Sequence, residues 1–133
     1  MRMSVLIAPL LIVVAAPAVA QAEDGQPFRV FFDWGKPELT KDAQAILDKA
    51  VAAYQSTRPN HVDIAGHADR SGPAGVNLAA SRRRAEAVKS YLAEHGIPAA
   101  LITVAALGES RPIVPTEDGV REMQNRRVEI SWR

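Results

Sequence analysis

The feature that most constrains the fold is a pair of strand-like segments joined by one long helical segment. HVDIAG (61–66) alternates between apolar and polar residues, and ITVAAL (102–107) is rich in β-branched residues. Between them the sequence predicts a helix from about Gly75 to Glu94, which ends before Gly96. Two strands joined by a helix usually lie side by side and parallel, with a right-handed crossover. The two segments are therefore predicted to be neighbours in one sheet.

Three further elements complete the predicted order. FRVFF (28–32) has the β-branched and aromatic content of a strand, and RVEISW (127–132) predicts the last strand. A helix with apolar residues at helical spacing follows Thr40, a candidate N-cap. The order is strand, helix, strand, helix, strand, strand. It predicts an α+β two-layer sandwich, in which a mixed four-stranded sheet carries both helices on one face.

The N-terminal segment predicts export. Residues 1–20 have a basic start at Arg2, an apolar stretch over 5–14 and small residues before Ala20, which is the pattern of a cleaved signal peptide. The alternative is an uncleaved membrane anchor, but two prolines interrupt the apolar run and it is shorter than a bilayer span of about 20 residues. The predicted division is a signal peptide (1–20), a short polar leader (21–27) and one domain (28–133).

Composition excludes several classes of function. A chain of 133 residues is long enough for one domain with a hydrophobic core, but too short for two. The 16 basic and 15 acidic residues nearly cancel, so no overall field attracts nucleic acid. The absence of cysteine excludes disulfides, thiolate metal sites and a lipid-modified N-terminal cysteine, and we therefore expect no direct lipid anchor.

Polar residues interrupt the apolar face of the second predicted helix. On a helical wheel, Asn77, Ser81 and Arg84 fall on or beside the stripe that should face the core. The apolar members of that stripe are Leu78, Ala85, Val88 and Leu92. Because a buried guanidinium without a partner is costly, Arg84 must meet solvent, a carboxylate or a ligand. Arg82 and Arg83 point away from the stripe and are predicted to be solvated.

The loop AGHADRSG (65–72) brings a carboxylate, Asp69, towards this helix. In one interpretation Asp69 pairs with Arg84 or caps loop amides, which is purely structural. In the other, Asp69 and Arg84 take the ammonium and carboxylate of an amino-acid-like ligand, and Asn77 and Ser81 add neutral hydrogen bonds. Glycines at each end of the motif, at 66 and 72, are interpreted as allowing a sharp turn. His67 is expected to pack under the loop or bond to it rather than contact the ligand.

Five segments resemble the OmpA-like C-terminal domain family, the peptidoglycan-binding module of cell-envelope proteins. They occur in that family's order and spacing: FFDWGKPELT, IAGHADRSG, NLAASRRRAEAVKSYLAEHGI, LGESRP and NRRVEI. The resemblance implies that the domain holds the diaminopimelate of the peptidoglycan stem peptide. By the same resemblance, Asp69 would hold the ligand ammonium and Arg84 its carboxylate. Further site residues that match or adjoin the family's motifs are Asn77, Arg126, Asp33 and Ser71.

Three positions depart from the family pattern, namely Ala68, Val76 and Leu107, and none removes a charge from the predicted site. We expect no catalytic residue, no metal and no cofactor. His61 and His67 stand at opposite ends of one predicted strand, too far apart to share an ion. The predicted function is non-catalytic peptidoglycan binding. The alternatives are an envelope scaffold that contacts proteins through a vestigial pocket and a cell-wall hydrolase.

The partners and location follow from the export signal and the resemblance. We expect peptidoglycan as the ligand, envelope proteins as further partners and no nucleic acid. The predicted location is the periplasm, in association with the wall and peripheral to the outer membrane.

Overall fold

The computed structural model describes residues 27–133. The predicted signal peptide (1–20) and all but the last residue of the predicted leader (21–27) lie outside the described residues. Both therefore remain predictions.

The described chain contains four strands and two long helices in the predicted order. They are β1 (Phe28–Phe31), α1 (Lys41–Thr57), β2 (Val62–Gly66), α2 (Ala74–Glu94), β3 (Ile102–Ala106) and β4 (Arg127–Trp132). Short 3₁₀ turns precede β3 and β4, at Ala99–Leu101 and Met123–Asn125. Thr40 is the N-cap of α1, as predicted, because its hydroxyl accepts a hydrogen bond from the Ala43 amide at 3.0 Å.

The strands form one mixed sheet in the order β1-β4-β2-β3. β2 and β3 are parallel neighbours, as the strand–helix–strand pattern predicts, with Val62 opposite Ile102. β4 is antiparallel to both of its neighbours, and its Val128 lies opposite Val30 on one side and Gly66 on the other. The last strand of the chain therefore occupies the middle of the sheet. This arrangement confirms the predicted α+β class.

The core lies on the sheet face that packs against the helices. Val30, Ile64 and Ile130 share that face, since they alternate with exposed or half-buried residues and lie in matched register. All three belong to one buried cluster with Leu47 of α1 and Val88 of α2. Both helices therefore cover the same face, and burial of this cluster is the main stabilising contribution to the fold.

Gly66 is required for helix packing and not for a sharp turn. A Cβ atom at this position would lie 2.1 Å from the Ser81 carbonyl oxygen and 3.0 Å from the Ala85 Cβ. Gly66 is the last residue of β2, so its interpretation as a turn residue is wrong, whereas Gly72 lies in a bend but without the positive φ that would require glycine. The missing side chain instead lets α2 approach the end of β2 closely.

Within residues 27–133, neither helix combines the length and the apolar character needed to cross a membrane.

Candidate functional site

A pocket of about 260 Å³ lies beyond the end of β2. Its walls come from three parts of the chain: the β1–α1 loop (residues 34–37), the β2–α2 loop and the first half of α2. Of the seven predicted site residues, four line this pocket, namely Asp69, Ser71, Asn77 and Arg84. The strand order of the sheet, which places segments distant in sequence side by side, and the close packing of α2 on β2 bring these residues together.

Asp69 is a buried carboxylate that accepts four hydrogen bonds. Its Oδ1 accepts from the Ser71 hydroxyl at 2.6 Å and from the Ser71 amide at 3.2 Å. Its Oδ2 accepts from Arg126 Nη1 at 2.8 Å and from the Glu122 amide at 3.0 Å. Asp69 therefore caps two loop amides, as one structural interpretation expected, but its ion pair is with Arg126 and not with Arg84.

These bonds determine the charge of Asp69. Burial alone would raise the pKa of the Asp69 carboxyl, but the hydrogen bonds from Ser71, Arg126 and the Glu122 amide outweigh it. The net effect holds the pKa below its ordinary value, so the group carries a negative charge at neutral pH.

Arg84 is a buried cation without a carboxylate partner among residues 27–133. Its side chain is 3% exposed, and no described Asp or Glu oxygen lies within 4.0 Å of it. Its Nε donates one long hydrogen bond, 3.4 Å, to the Lys36 carbonyl oxygen, and its guanidinium carbon lies 5.7 Å from the centre of the Phe32 ring. Burial lowers the pKa of this guanidinium, and the nearby Asp69 charge opposes that effect only in part.

Asn77 and Ser81 support the walls of the pocket. Asn77 Nδ2 donates to the Gly72 carbonyl oxygen at 2.8 Å and to Glu109 Oε1 at 2.7 Å. Ser81 does not line the pocket; its hydroxyl accepts from the Gly108 amide at 3.0 Å and donates to the Leu78 carbonyl oxygen. Both side chains fix the loop that follows β3 to the first half of α2.

Arg126 and Asp33, the remaining predicted site residues, do not line the pocket. Arg126 lies behind Asp69, and its Nε also donates to the Phe32 carbonyl oxygen at 3.0 Å. Asp33 is exposed at the start of the β1–α1 loop, where its carbonyl oxygen accepts a hydrogen bond from the Lys36 amide.

Trp34 is a pocket residue that sequence reasoning did not single out. Its Nε1 donates to the Ser71 hydroxyl oxygen at 3.0 Å, and the Arg121 guanidinium carbon lies 3.5 Å from its ring centre. The side chain is 47% exposed at the pocket wall. A tryptophan in the turn that follows the first predicted strand was the available signal, but only the fold shows that it faces Ser71.

Glu109 is the second residue that the sequence did not single out. It accepts from Asn77, and its Oε2 lies 3.3 Å from Arg70 Nη2. Arg70 in turn contacts Asp118 at 2.7 Å. These contacts join the β2–α2 loop to the long loop before β4, so Glu109 positions Asn77 from outside the pocket.

The helical wheel for α2 is correct on its polar side and wrong at one apolar position. Asn77, Ser81 and Arg84 are all buried, as expected, whereas Leu78 is 43% exposed. Ser81 and Ala85 lie against Gly66 of β2, whereas Leu78 lies beside Gly108. Arg82 and Arg83 are exposed as predicted, although Arg83 also lines the pocket.

His67 lies away from the pocket lining and is 2% exposed. Neither ring nitrogen has a hydrogen-bond partner among the described residues, and its amide donates to the Arg127 carbonyl oxygen at 2.8 Å. This agrees with the expectation that His67 packs under the loop. Residues 27–133 contain no cluster of three or more His, Cys, Asp or Glu that could hold a metal ion.

Comparison with known sequence families identifies the domain. The OmpA family model matches residues 31–126, which include every pocket residue described above. The chain belongs to the OmpA family.

Individual relatives agree with this assignment. The chain is 39% identical over 109 residues to an outer membrane protein of Gluconacetobacter diazotrophicus, covering 77% of this chain and 29% of that protein. It is 37% identical over 101 residues to the peptidoglycan-associated lipoprotein of Rhizobium meliloti, covering 75% of this chain and 57% of that protein. The match therefore spans less than two thirds of the length of either relative.

The fold agrees as well. The crystal structure of the peptidoglycan-associated lipoprotein from Burkholderia pseudomallei superimposes with a TM-score of 0.71 at 30% sequence identity, covering 79% of this chain and 89% of that one. The OmpA-like assignment therefore rests on both sequence and three-dimensional structure.

Proposed function

We propose that this protein binds peptidoglycan without breaking bonds, through the diaminopimelate of the stem peptide. The observation that carries the proposal is Arg84, a guanidinium that is 3% exposed, lines the pocket and lacks a carboxylate partner in the described chain. A ligand carboxylate would supply the missing counter-charge through two parallel N–H···O bonds. At the free end of its side chain, diaminopimelate carries a carboxylate and an ammonium on one carbon. This pair fits a pocket that contains both a cation and an anion.

Asp69 is the proposed partner of the ligand ammonium. Its acceptor positions are already occupied, but one donor, the Ser71 hydroxyl, can rotate about its C–O bond. An ammonium that enters the pocket can replace this hydroxyl at Oδ1, while Arg126 and the Glu122 amide hold Oδ2. The depressed pKa of Asp69 keeps the carboxylate charged for this role.

The state of Asp69 also favours binding over catalysis. A general acid or base works best with a pKa near the operating pH, whereas the pKa of Asp69 is shifted in the opposite direction. The names of relatives from R. meliloti and B. pseudomallei, which are peptidoglycan-associated lipoproteins, support the same function.

The proposed location follows from the same reasoning. Residues 1–20 would direct export and be removed, leaving the domain in the periplasm against the wall and peripheral to the outer membrane. Envelope proteins are proposed as further partners, since relatives are outer-membrane proteins and lipoproteins.

Co-sedimentation of the full chain with purified sacculi tests the proposal. Sacculi that contain diaminopimelate should retain the protein, and sacculi with lysine at that position should not, because lysine lacks the side-chain carboxylate. Arg84→Ala should lower affinity at least about tenfold. Arg84→Lys should weaken binding nearly as much, because an ammonium keeps the charge but loses the two-donor geometry. Arg82→Lys, on the exposed side of α2, is the matched control and should bind normally.

Three results would contradict the proposal. Equal retention on both kinds of sacculi would exclude recognition of diaminopimelate. Folded wild-type protein that is not retained at all would favour the envelope scaffold with a vestigial pocket. Sustained release of soluble muropeptides by pure protein would favour a hydrolase.

A further inference from the structure

The charges that line the pocket exceed what one ammonium–carboxylate pair needs. Three cationic side chains line it, those of Lys36, Arg83 and Arg84, against the single carboxylate of Asp69. Asp69 is itself paired with Arg126 at 2.8 Å. If Arg84 takes one ligand carboxylate, Lys36 and Arg83 still have no counter-charge in the pocket.

Lys36 and Arg83 line the pocket from two elements, the β1–α1 loop and α2. Both are exposed, and neither has an Asp or Glu oxygen within 4.0 Å among residues 27–133. Long flexible cations in this position can reach a group at the opening, whereas Arg84 is buried more deeply.

The surface beyond the opening limits where a second anion would bind. The pocket shares Pro37 and Arg83 with a shallow groove of about 570 Å³. Two arginines, Arg82 and Arg83, and two carboxylates, Glu38 and Glu86, line that groove, so its charges balance, whereas cations are in excess in the pocket. The favourable position is therefore the junction between pocket and groove, close to Lys36 and Arg83.

We infer that Lys36 and Arg83 form a second carboxylate subsite, which binds a further carboxylate of the same ligand. This inference rests on the proposed function. A stem peptide offers two such groups: the backbone carboxylate at the C-terminus of diaminopimelate and the α-carboxylate of the preceding γ-linked glutamate. The domain would then favour stem peptides in which that carboxylate is free over those in which it is amidated or joined to another residue.

Calorimetric titration of the full chain tests the subsite with three soluble ligands. They are the tripeptide L-Ala-γ-D-Glu-meso-diaminopimelate, its C-terminal carboxamide and its glutamate α-carboxamide. Wild type should bind the tripeptide about two- to fivefold more tightly than one of the two amides, and the preference should weaken with added salt. The carboxamide that binds more weakly than the tripeptide identifies the carboxylate that the subsite binds.

Variants then assign the preference to the two residues. Arg83→Gln and Lys36→Gln should each lower the affinity for the tripeptide and reduce the difference between tripeptide and amide. Arg82→Gln removes the same charge from the neighbouring exposed position, which lines the groove but not the pocket, and should keep the difference.

Two outcomes overturn the inference without affecting the proposed function. In the first, wild type binds all three ligands with equal affinity, and Arg84→Ala abolishes that binding. In the second, Arg82→Gln loses the preference for the tripeptide as much as Arg83→Gln does, which would show that the overall positive charge of this surface, and not a subsite, causes the preference. Failure of the wild type to bind any of the ligands would defeat the proposed function, and the subsite with it.

Discussion

The Asp69 carboxylate is bonded to Arg126, whose Nη1 lies 2.8 Å from Oδ2 with both side chains buried. Arg84, which the family resemblance pairs with Asp69 across a ligand, has no carboxylate within 4.0 Å in the described chain. The two residues of the proposed site therefore differ in what they do for the fold. Asp69 is held by four hydrogen bonds within the fold, whereas Arg84 donates one long hydrogen bond, to the Lys36 carbonyl oxygen.

Asp69→Ala should destabilise the protein as well as abolish peptidoglycan binding. The substitution leaves Arg126 as a buried charge without its carboxylate and frees the loop amides of Ser71 and Glu122. Removing one partner of a buried ion pair costs about 3 to 5 kcal/mol. Urea unfolding monitored by circular dichroism measures the loss.

A double variant provides the control for this prediction. Asp69→Ala with Arg126→Met removes both charges and should recover part of the lost stability, because no buried cation is left unpaired. Wild-type stability in Asp69→Ala alone would show that the pair contributes little to the fold.

Arg84→Met should separate binding from stability. Because the Arg84 guanidinium is desolvated and lacks a carboxylate partner, an apolar side chain of similar length should leave the melting temperature unchanged or raise it. Retention on sacculi should nevertheless be lost. Thermal melting and sedimentation on the same samples measure both effects, with Arg82→Met as the exposed control. A large fall in melting temperature would instead show that Arg84 is a structural residue.

The sequence predicted the elements, the parallel strand pair and the burial of the polar face of α2. Those features depend on local periodicity and on short connections, which a single sequence displays. The Asp69–Arg126 pair could not be derived in this way, because it joins residues 57 positions apart and depends on β4 lying between β1 and β2.

The same limit applies to the pocket wall. The loops that carry Trp34 and Ser71 follow β1 and β2, which flank the same strand, β4, and nothing local to either residue indicates that contact. The segment FFDWGKPELT resembles the family, but the resemblance assigned no role to Trp34. The predicted burial of Leu78 was wrong, because α2 meets the sheet at Gly66 through Ser81 and Ala85, while Leu78 lies beside Gly108.

Gly66→Ala should be strongly destabilising. Its Cβ would lie 2.1 Å from the Ser81 carbonyl oxygen, a backbone atom that can move only if α2 shifts away from the sheet. We expect a loss of about 1 to 3 kcal/mol or more, and weaker sacculus binding because Arg84 lies on the same helix. Gly75→Ala is the matched control: a Cβ at that position would have no neighbour within 4 Å, and alanine is the better helix former. Equal stability of the two variants in urea unfolding would contradict the packing role of Gly66.

His67 should make the fold sensitive to mild acid. Burial, together with the Arg127 and Arg111 charges and against the opposing effect of Glu129, lowers its pKa to about 4. In the unfolded chain the histidine has its ordinary pKa of about 6.5. Below that pH the unfolded state therefore takes up a proton that the folded state does not, and the free energy of unfolding falls as the pH drops towards 4.

The expected fall between pH 7.5 and pH 4.5 is about 2 to 3 kcal/mol, from the linkage between proton uptake and unfolding. Urea unfolding at pH 7.5, 6.0 and 4.5 measures it. Because the folded pKa values of Asp69 and Glu129 are lowered, the unfolded chain begins to take up protons at these carboxyls from about pH 5 downwards, and they add to the fall at pH 4.5. His67→Phe removes the titrating imidazole and two unpartnered buried nitrogens, so its stability should fall much less than that of wild type, most clearly between pH 7.5 and 6.0. His95→Gln removes an exposed histidine instead and should keep the wild-type slope, because His67 is still present. If His67→Phe loses stability with acid as steeply as wild type, the sensitivity has another source and His67 is not the group responsible.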